Sequence, residues 1–568
     1  MTQEQILQSL PSHLRPFVAR QDYAQQYTPR DHAVWRFLLH RLSTHLASTA
    51  HPVYLEGLAK TGISMDHIPS IDEMNACLAK LGWRAVVVDG FIPPAIFMEF
   101  QALRVLVIAL EMRHIDHLLY TPAPDIVHES AGHAPFIADI DYAEYLQRFG
   151  ELGMRAISNK HDEALYQAVR ELSILKESAS ASSGEIAAAE QRLAELSANA
   201  DEPSEAALLT RLHWWTVEYG LVGELDDYRI FGAGLLSSLG ESTHCMDDQA
   251  VQKWPLTVEA IRTPYDITRE QPQLFVTKNC RHLTQVLNEF ASGMAYYRGG
   301  QFGLERAITA QTVCTAVLNS GLQISGVFCE QMLDAVGTPI FLKTSSPTQL
   351  AFKDKELFGQ GTVQHKHGFS SPLGLIKDFS RCLSEYSIDE LRALGVAIGQ
   401  RVILEFLSGI TVCGELMAIT REEHRNLIFT FQDCYVHALD GRVLYDPSWG
   451  VFDMAVGAEV VSVFGGSADK AAYPLYSAPE ASAREAVDHD DAIMDAYQTV
   501  ANLSGDSDLE ALHAILDRFP NEWLLREEIR RQAASLPSGA SVLLSRCERE
   551  LQTLLADRPE ILAIVELA

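Results

Sequence analysis

Apolar residues recur at helical spacing through the first part of the chain. Residues 35–46, WRFLLHRLSTHL, have apolar side chains three and four positions apart, which predicts an amphipathic helix. Residues 68–82 predict another helix, with a Ser or Asp N-cap and a closing glycine. RAVVVDGF, residues 84–91, is typical of a short buried strand, and residues 93–114 predict a helix followed by a strand. This part of the chain is therefore predicted to be mainly helical.

The pattern changes after about residue 292. Residues 401–419, 426–449 and 454–466 contain short β-rich runs separated by Gly, Asp and Pro, which predict a small antiparallel barrel or sandwich. Apolar residues return to helical spacing from about Ala483. Because 568 residues are too many for one ordinary core, we expect several domains. The predicted α+β organisation is a mainly helical domain over 1–291, a β-rich domain over 292–482 and a helical tail over 483–568.

A pair of amphipathic helices is predicted within residues 155–205. Leu165, Val169, Leu172 and Leu175 mark the apolar stripe of the first helix, and a Ser-rich turn separates it from the second. We predict an antiparallel helical hairpin. Its role is left open between a lid, an oligomer contact, a docking arm for the C-terminal half and a plain solvated insertion.

Charge and cysteine usage narrow the partners and the compartment. The chain has 45 basic and 75 acidic residues, for a net charge of -30. It therefore has no excess of positive charge with which to attract phosphate groups. Nucleic acid and anionic membranes are therefore poor candidate partners. The nine cysteines are scattered singly without a CxxC pair, which suits a reducing compartment. The N-terminus is polar and no apolar run approaches 18 residues, so we expect a cytoplasmic protein without a signal peptide or membrane span.

Candidate chemistry is concentrated in two segments. TPAPDIVHESAGHAP, starting at Thr121, carries His128 and His133, and HWWTVEYGL brings Glu218 into an apolar and aromatic run. Two imidazoles and one carboxylate are the ligand set of the non-haem Fe(II) facial triad. A buried glutamate needs a partner, and coordination to a cation provides one. The residues therefore predict an iron oxygenase.

The histidine spacing argues against a zinc protease. In an HExxH motif the histidines are four residues apart and share one helix face, whereas here they are five apart. Five steps on an ideal α-helix leave the side chains roughly 140° apart. We therefore expect one histidine at the helix entry, with Pro122 and Pro124 breaking the helix and Asp125 as a plausible N-cap. The pair His365 and His367 has no nearby cysteine, and we interpret it as a surface pair.

The segments PDIVHESAGHAPFIAD, WWTVEYGL and FGAGLLSSLGE together resemble the pterin-dependent aromatic amino acid hydroxylases. The resemblance runs from about Tyr27 to about Ala291, and it does not extend to the C-terminal half. It makes the predicted hairpin an insertion between the two ligand segments. The resemblance implies an aromatic amino acid monooxygenase that uses Fe(2+), a tetrahydropterin and O2, with His128, His133 and Glu218 as catalytic metal ligands.

The resemblance also implies binding residues. Phe97 matches the aromatic residue that stacks on the pterin ring, Gly90 lies in the turn that meets the pterin edge, and Arg113 matches the arginine that clamps the substrate carboxylate. Ser237 matches a serine that hydrogen-bonds a ligand histidine, whereas His213 stands where phenylalanine hydroxylases carry tyrosine. The expected cofactor-binding residues are Gly90, Ile92, Phe97, Glu129 and His213; those on the substrate side are Arg113, Thr121, Pro124, Trp214, Ser237, Tyr265 and Ile267.

The substrate is expected to be an aromatic amino acid. Trp214 favours a pocket shaped for a single ring, hence conversion of phenylalanine to tyrosine, whereas Ile267 resembles the tryptophan hydroxylases. The alternatives are a tryptophan or tyrosine hydroxylase, a hydroxylase-fold enzyme with a different aromatic substrate, a zinc hydrolase, and a catalytically dead binding or assembly protein. The expected partners are the amino acid and O2, with a possible homo-oligomer through the hairpin or the C-terminal half.

Overall fold

The structure is a computed structural model of the chain. It describes residues 2–115, 118, 125–177, 181–198, 202–267, 269–478, 491–504, 508–532 and 540–566. Helices and strands are both abundant, as the α+β prediction requires. Among these residues, no helix combines the length and the apolar character needed to cross a membrane.

The first part of the chain is mainly helical, as predicted. The helix that contains residues 35–46 begins after Thr28, which forms a capping box with Asp31. Pro29 occupies its first helical position. The helices are α1 Gln3–Ser9, α2 Tyr23–Gln26, α3 Pro29–Thr49, α4 Val53–Lys60, α5 Ile71–Leu78, α6 Pro94–Ala102, α7 Ile140–Gly153, α8 Lys160–Glu177, α9 Ser183–Ala198, α10 Glu205–His213, α11 Ala233–Leu236, α12 Leu239–His244, α13 Cys280–Ser292, α14 Ala295–Arg298 and α15 Gly300–Ala310.

Two small sheets lie among these helices. Strands β1 Arg84–Val88 and β2 Val105–Ala109 run parallel, and α6 forms the crossover between them. The second sheet has the order β4-β3-β6-β5, from β3 Leu221–Glu224, β4 Asp227–Ile230, β5 Gln252–Pro255 and β6 Gln273–Thr277. The turn after β1 and the crossover helix thus form one continuous element over residues 89–102.

Helices α8 and α9 pack against each other as the predicted antiparallel hairpin. Two ion pairs connect them, Arg192 with Glu171 at 2.9 Å and Lys176 with Glu190 at 2.9 Å. Both pairs are solvent-exposed and each contributes little to stability. Of the apolar stripe predicted for α8, Leu172 is buried and Leu165, Val169 and Leu175 are partly buried.

The next region consists of two antiparallel sheets, each with its own hydrophobic cluster. One sheet has the order β11-β10-β8-β7-β18, with β9 paired to both β8 and β12; the other has the order β13-β14-β15-β16, with β17 paired to β15. The strands are β7 Val313–Leu318, β8 Leu322–Leu333, β9 Pro339–Thr344, β10 Gln349–Phe352, β11 Lys355–Glu356, β12 Ser370–Pro372, β13 Arg401–Glu405, β14 Thr411–Glu422, β15 Arg425–His437, β16 Val443–Tyr445, β17 Phe452–Ala455 and β18 Val460–Gly465, with helix α16 Ile388–Ala393 between β12 and β13.

One expectation for this region is wrong. The pair His365 and His367 was interpreted from its loop sequence as exposed, but His365 is buried, with its Nε2 2.7 Å from Gln360 Oε1 and 3.9 Å from Asp453. Only His367 is exposed. Gln360 lies only five residues before His365, whereas Asp453 comes from β17 and is not visible in the local sequence.

The C-terminal helices pack on α3 and share its hydrophobic cluster. The ring of Trp523 meets that of Phe37 edge-to-face at 5.4 Å, and Arg36 pairs with Glu528 at 2.7 Å. Arg41 pairs with Glu527 at 2.6 Å. The helices, as predicted from the apolar spacing, are α17 Asp491–Ala501, α18 Leu509–Arg518, α19 Trp523–Arg531, α20 Ser541–Leu554 and α21 Pro559–Glu566.

Candidate metal and cofactor site

Both ligand segments form π-helices. Residues Val127–His133 make one π-helix, so His128 and His133 lie within the same helical segment. A π-helix has hydrogen bonds between residues five apart, so residues i and i+5 lie on the same side of it. In an α-helix the same is true of residues i and i+4. The expectation that one histidine lies outside the helix body is therefore wrong, because the α-helical angle does not apply here. Asp125 accepts a hydrogen bond from the backbone N–H of His128 at 2.9 Å, in a capping role.

Glu218 ends the other π-helix, Trp214–Glu218, which continues directly from α10. Its i to i+5 bond runs from the N–H of Tyr219 to the carbonyl of Trp214 at 2.9 Å. The hydroxyl of Thr216 bonds the Leu212 carbonyl at 2.6 Å and lies 2.7 Å from the Tyr145 hydroxyl. These buried contacts fix the turn from which Glu218 projects.

Three donor atoms converge between the two π-helices. Nε2 of His128 lies 3.1 Å from Nε2 of His133, and the Glu218 carboxylate oxygens lie 3.3 Å from His128 and 3.4 Å from His133. Ligand atoms about 2.1 Å from a shared ion, at angles of 90 to 110°, are about 3.0 to 3.4 Å apart. Among the described residues these three form the cluster suited to a metal ion, with ligand atoms within 4.8 Å of one another. The donors and their spacing therefore fit a facial triad.

The tautomer of His128 is set by Ser237, which follows α11. The Ser237 hydroxyl donates to the Ala233 carbonyl at 2.8 Å, so its lone pair faces His128 Nδ1 at 3.1 Å as an acceptor. His128 then carries its proton on Nδ1, and the Nε2 lone pair is directed at the other two ligands. Gly132 permits this approach, because a Cβ at that position would lie 2.7 Å from the Ala233 carbonyl oxygen.

Arg113 is buried and paired with Asp125. Its Nε and one terminal nitrogen donate to the two carboxylate oxygens at 2.6 and 2.9 Å, and its other terminal nitrogen donates to the Ser237 carbonyl at 3.0 Å. These contacts use three of the five N–H groups of a guanidinium. Burial by itself would raise the pKa of Asp125, but Arg113 holds that pKa below its ordinary value. Asp125, predicted as a cap, thus also orients Arg113, which the sequence reasoning missed.

Two buried polar groups flank the metal ligands. Burial raises the pKa of Glu129 to about 8, and its Oε2 has no hydrogen-bond partner among the described residues. Burial lowers the pKa of His213 to about 4. Its Nδ1 lies 3.6 Å from Glu218, and its Nε2 is likewise without a partner in the described part of the chain. For Glu218, burial would raise the pKa, but His133 and His128 outweigh it and hold that pKa well below its ordinary value.

The expected pterin residues lie along residues 89–102. Gly90 has a positive φ of 66°, and the space beside its Cα is open. Phe97 projects from α6 so that its ring meets that of His213 edge-to-face at 6.2 Å. Ile92 is buried in an apolar cluster with Val88 and Phe100. A chain of contacts therefore leads from Phe97 through His213 to the metal ligand Glu218.

The aromatic wall of the site is a stack of three rings. The Trp214 indole stacks on Tyr265, with ring centroids 4.3 Å apart and planes at 14°, and on Tyr219, with centroids 4.7 Å apart and planes at 29°. Tyr219 was not among the expected residues, although its place directly after Glu218 was a usable signal. Ile267 is half-buried two residues beyond Tyr265. The expected residues Thr121 and Pro124, with Pro122, lie outside the described residues.

Comparison with known proteins identifies the family. The chain matches the family described as biopterin-dependent aromatic amino acid hydroxylase over residues 19–181 and 179–313, beyond the end near Ala291 expected from the motifs. A phenylalanine-4-hydroxylase of Ralstonia nicotianae is 30% identical over 272 residues, which are 48% of this chain and 73% of that protein. One of Pseudomonas aeruginosa is 30% identical over 264 residues, which are 46% and 84%.

A crystal structure of Chromobacterium violaceum phenylalanine hydroxylase, with bound iron(III) and 7,8-dihydrobiopterin, is 25% identical. The superposed region covers 52% of this chain and 93% of the Chromobacterium violaceum chain, with a TM-score of 0.39. From the family match and the two relatives, the chain belongs to the biopterin-dependent aromatic amino acid hydroxylases. It is accordingly an aromatic amino acid monooxygenase.

Proposed function

We propose that this protein converts phenylalanine to tyrosine with ferrous iron, O2 and a tetrahydropterin. The convergence of His128, His133 and Glu218 within the region that matches the hydroxylase family carries this proposal. The relatives in Ralstonia nicotianae and Pseudomonas aeruginosa, both named phenylalanine-4-hydroxylase, support the choice of amino acid.

The three ligands would hold iron on one face and leave positions for O2. When bound, iron and the reduced pterin together supply the activation of O2. The chain's own contribution is to orient the ligands: Ser237 sets the protonated nitrogen of His128, and the Thr216 contact with Tyr145 fixes the turn before Glu218. Preorganised ligands and a binding site that excludes water lower the barrier by proximity.

The stacked rings favour a substrate with one aromatic ring. Trp214 stacks on both Tyr265 and Tyr219, so turning the indole aside to make space for a larger ring would break both contacts. An indole substrate would need that space, whereas a phenyl ring does not. Arg113, with two N–H groups beyond those bonded to Asp125 and Ser237, is the proposed partner of the substrate carboxylate.

The compartment follows from the cysteines. All nine are free thiols, which is the state maintained in a reducing compartment. We therefore propose a cytoplasmic enzyme. A homo-oligomer through the hairpin or the C-terminal half stays a prediction.

A product-resolved turnover assay tests the proposal. Purified protein with ferrous iron and tetrahydrobiopterin in air is offered phenylalanine, tyrosine and tryptophan in competition, and the products are separated by chromatography. We expect tyrosine as the main product. 5-Hydroxytryptophan or a dihydroxyphenylalanine as the main product would refute the choice of substrate, and no product from any of the three would refute the proposed reaction.

A ligand variant tests the metal site separately. Glu218→Ala is expected to lose both iron binding and hydroxylation, because one of three charged or polar ligands is removed. Glu224→Ala is the matched control, since Glu224 is an exposed carboxylate six residues away on β3. Wild-type iron content and turnover in Glu218→Ala would remove the triad from the mechanism.

A further inference from the structure

The β-rich region and the inserted hairpin both reach the element expected to hold the pterin. That element, residues 89–102, consists of the turn with Gly90 and helix α6 with Phe97, and we call it the pterin element. The segment that follows β18, residues 466–478, runs from the β-rich region to the back of α6, and we call it the strap. The strap lies outside the residues that match the family, and the hairpin lies outside the motifs by which the resemblance was found.

The first contact is a buried ion pair. Lys470 of the strap places its Nζ 2.7 Å from Oε2 of Glu99 on α6, and the other oxygen of Glu99 lies 2.9 Å from Nε2 of His13. The side chain of Glu99 is only 8% exposed, and that of Lys470 is 21% exposed. Burial by itself would raise the pKa of Glu99, but His13 and Lys470 outweigh it and hold that pKa below its ordinary value. Glu99 and Phe97 are two residues apart on the same short helix.

The second contact comes from the hairpin. The hydroxyl of Tyr166 on α8 donates to the backbone carbonyl of Phe91 at 3.2 Å. Phe91 lies between Gly90 and Ile92, so this hydrogen bond holds the turn itself and not only the helix behind it. A backbone carbonyl held in this way restricts the rotation of the adjacent peptide, where Gly90 already adopts a positive φ.

The strap also makes an apolar contact with the pterin element. Tyr476 of the strap packs on the apolar cluster that contains Ile92 and Ile96. Burial raises the pKa of its hydroxyl to about 12, and electrostatic interaction with Glu163 and Tyr166 of α8 adds to that rise. Strap and hairpin therefore contact the pterin element at three places: Glu99, the Phe91 carbonyl and the apolar cluster around Ile92.

The strap is held in the β-rich region by hydrogen bonds, so the position of Lys470 depends on that region. The backbone N–H of Asp469 donates to Gln349 at 3.0 Å, and the Asp469 carboxylate accepts from the backbone N–H of Glu356 at 3.0 Å. The hydroxyl of Tyr473 donates to the Pro347 carbonyl at 3.0 Å. Lys470 is thus fixed between two residues that are bonded to the region around β10 and β11.

We propose that the strap and Tyr166 hold the pterin element in the conformation that receives the cofactor, so that pterin affinity depends on the β-rich region and the inserted hairpin. The inference rests on the proposed function, since it concerns the same cofactor site. Lys470 and Tyr166 are positioning residues: neither touches the pterin site directly. If the contacts are lost and the element is competent for only about a tenth of the time, the apparent Kd for pterin rises about tenfold.

The test uses the full-length, iron-loaded protein with two independent variants. Lys470→Met removes the ammonium group from Glu99, and Tyr166→Phe removes only the hydroxyl. Lys470→Arg restores the positive charge, and Lys355→Met is the matched control. Lys355 lies on β11, is 78% exposed and places its Nζ 3.8 Å from Asp469 of the strap.

Three quantities are measured for each protein. The Kd for tetrahydrobiopterin is obtained by anaerobic calorimetry, and KM values for pterin and phenylalanine, with kcat, are obtained from turnover. Hydrogen exchange of the backbone amides of residues 89–97 is followed without pterin. We expect Kd and KM for pterin to rise about tenfold in Lys470→Met and Tyr166→Phe, with faster exchange over 89–97. The KM for phenylalanine, kcat and iron content should stay within about twofold, and Lys470→Arg and Lys355→Met should behave as wild type.

Two results would overturn the proposal. Unchanged pterin Kd and unchanged exchange over 89–97 in both variants would show that the contacts do not position the element. Equal losses in pterin affinity, phenylalanine KM and kcat, without rescue by Lys470→Arg, would show a general structural role instead. Failure of the wild type to bind tetrahydrobiopterin would refute the proposed function, and this inference with it. Wild-type binding with unaffected variants would refute this inference alone.

Discussion

Replacing Ser237 with alanine should weaken iron binding without disturbing the ligands themselves. The Ser237 hydroxyl is the acceptor for His128 Nδ1–H at 3.1 Å, and its own proton is committed to the Ala233 carbonyl at 2.8 Å. In Ser237→Ala, the His128 N–H loses its acceptor in a buried site, since Ser237 is 3% exposed. The proton of His128 is then free to move to Nε2, where it blocks coordination.

Two estimates of the magnitude agree. Leaving a buried donor unsatisfied costs about 1 to 3 kcal/mol. Loss of a hydrogen bond to a metal-ligating histidine lowers metal affinity by roughly 10 to 100-fold, which corresponds to about 1.4 to 2.7 kcal/mol. We therefore expect the Kd of Ser237→Ala for ferrous iron to rise by about 10 to 100-fold.

The assay is anaerobic competition for ferrous iron against a coloured chelator. Ser242→Ala is the matched control, because Ser242 is fully buried on the neighbouring helix α12 and bonds the Leu239 carbonyl at 3.2 Å without touching a ligand. The control should lose some stability and keep wild-type iron affinity. Equal iron affinity in Ser237→Ala and wild type would refute the assigned tautomer, and equal losses in both variants would show that serine burial, not the contact with His128, is responsible.

Three further predictions concern stability. Arg36→Met should lower the free energy of unfolding in urea by about 3 kcal/mol, because Glu528 is 1% exposed and loses its main partner. Gly57→Ala should lower it by about 1 to 3 kcal/mol, since the new Cβ would lie 2.2 Å from the Pro135 carbonyl oxygen. Burial raises the pKa of Glu241 from 4.5 to about 7, so the folded protein holds this proton up to about pH 7 while the unfolded chain releases it near 4.5. Wild-type stability should therefore fall as the pH rises from 4.5 to 7, and Glu241→Gln should remove that part of the decline in urea titrations across this range.

Matched variants and contrary outcomes accompany these predictions. Lys60→Met removes an exposed ion pair with Glu56 and should lower the free energy of unfolding by less than about 1 kcal/mol. If Arg36→Met lowers it by no more than Lys60→Met does, burial of Glu528 does not add to the effect. Gly184→Ala meets its nearest atom at 3.9 Å and should be neutral, so equal behaviour of the two glycine variants would contradict the proposed clash. For Glu241→Gln, a pH profile that runs parallel to wild type would contradict the raised pKa.

Much of the fold was predictable because it follows from local periodicity. The helix around Trp35, the helix and strand after Pro93 and the hairpin near Leu172 all lie where apolar spacing placed them. The C-terminal helices were also predicted, but not what they pack against. Helix α19 reads as a charged surface helix, yet Glu527 and Glu528 are buried. Their partners Arg41 and Arg36 are almost 500 residues away, and no local pattern encodes that pairing.

The site was predictable in its composition and not in its geometry. The sequence motifs predicted His128, His133 and Glu218 as ligands, because two histidines and one carboxylate are the ligand set of the non-haem iron facial triad. The i+5 spacing was correctly seen as incompatible with an α-helix, but it was interpreted as a break. The π-helix Val127–His133 satisfies the same spacing without a break, and it packs on a remote segment through the close approach of Gly132 to Ala233.

The docking of the last helices on α3 has a consequence for biosynthesis. Arg36 and Glu528 are separated by 492 residues. At about 5 to 20 residues per second, a ribosome needs about 25 to 100 s to complete that distance. Throughout that interval, α3 has left the ribosome with Arg36, Arg41 and the part of its surface that α17 and α19 contact uncovered. This part of the α3 surface must therefore be shielded until α17 and α19 have been synthesised, and a fragment that ends at the hydroxylase motifs would leave it exposed to aggregation.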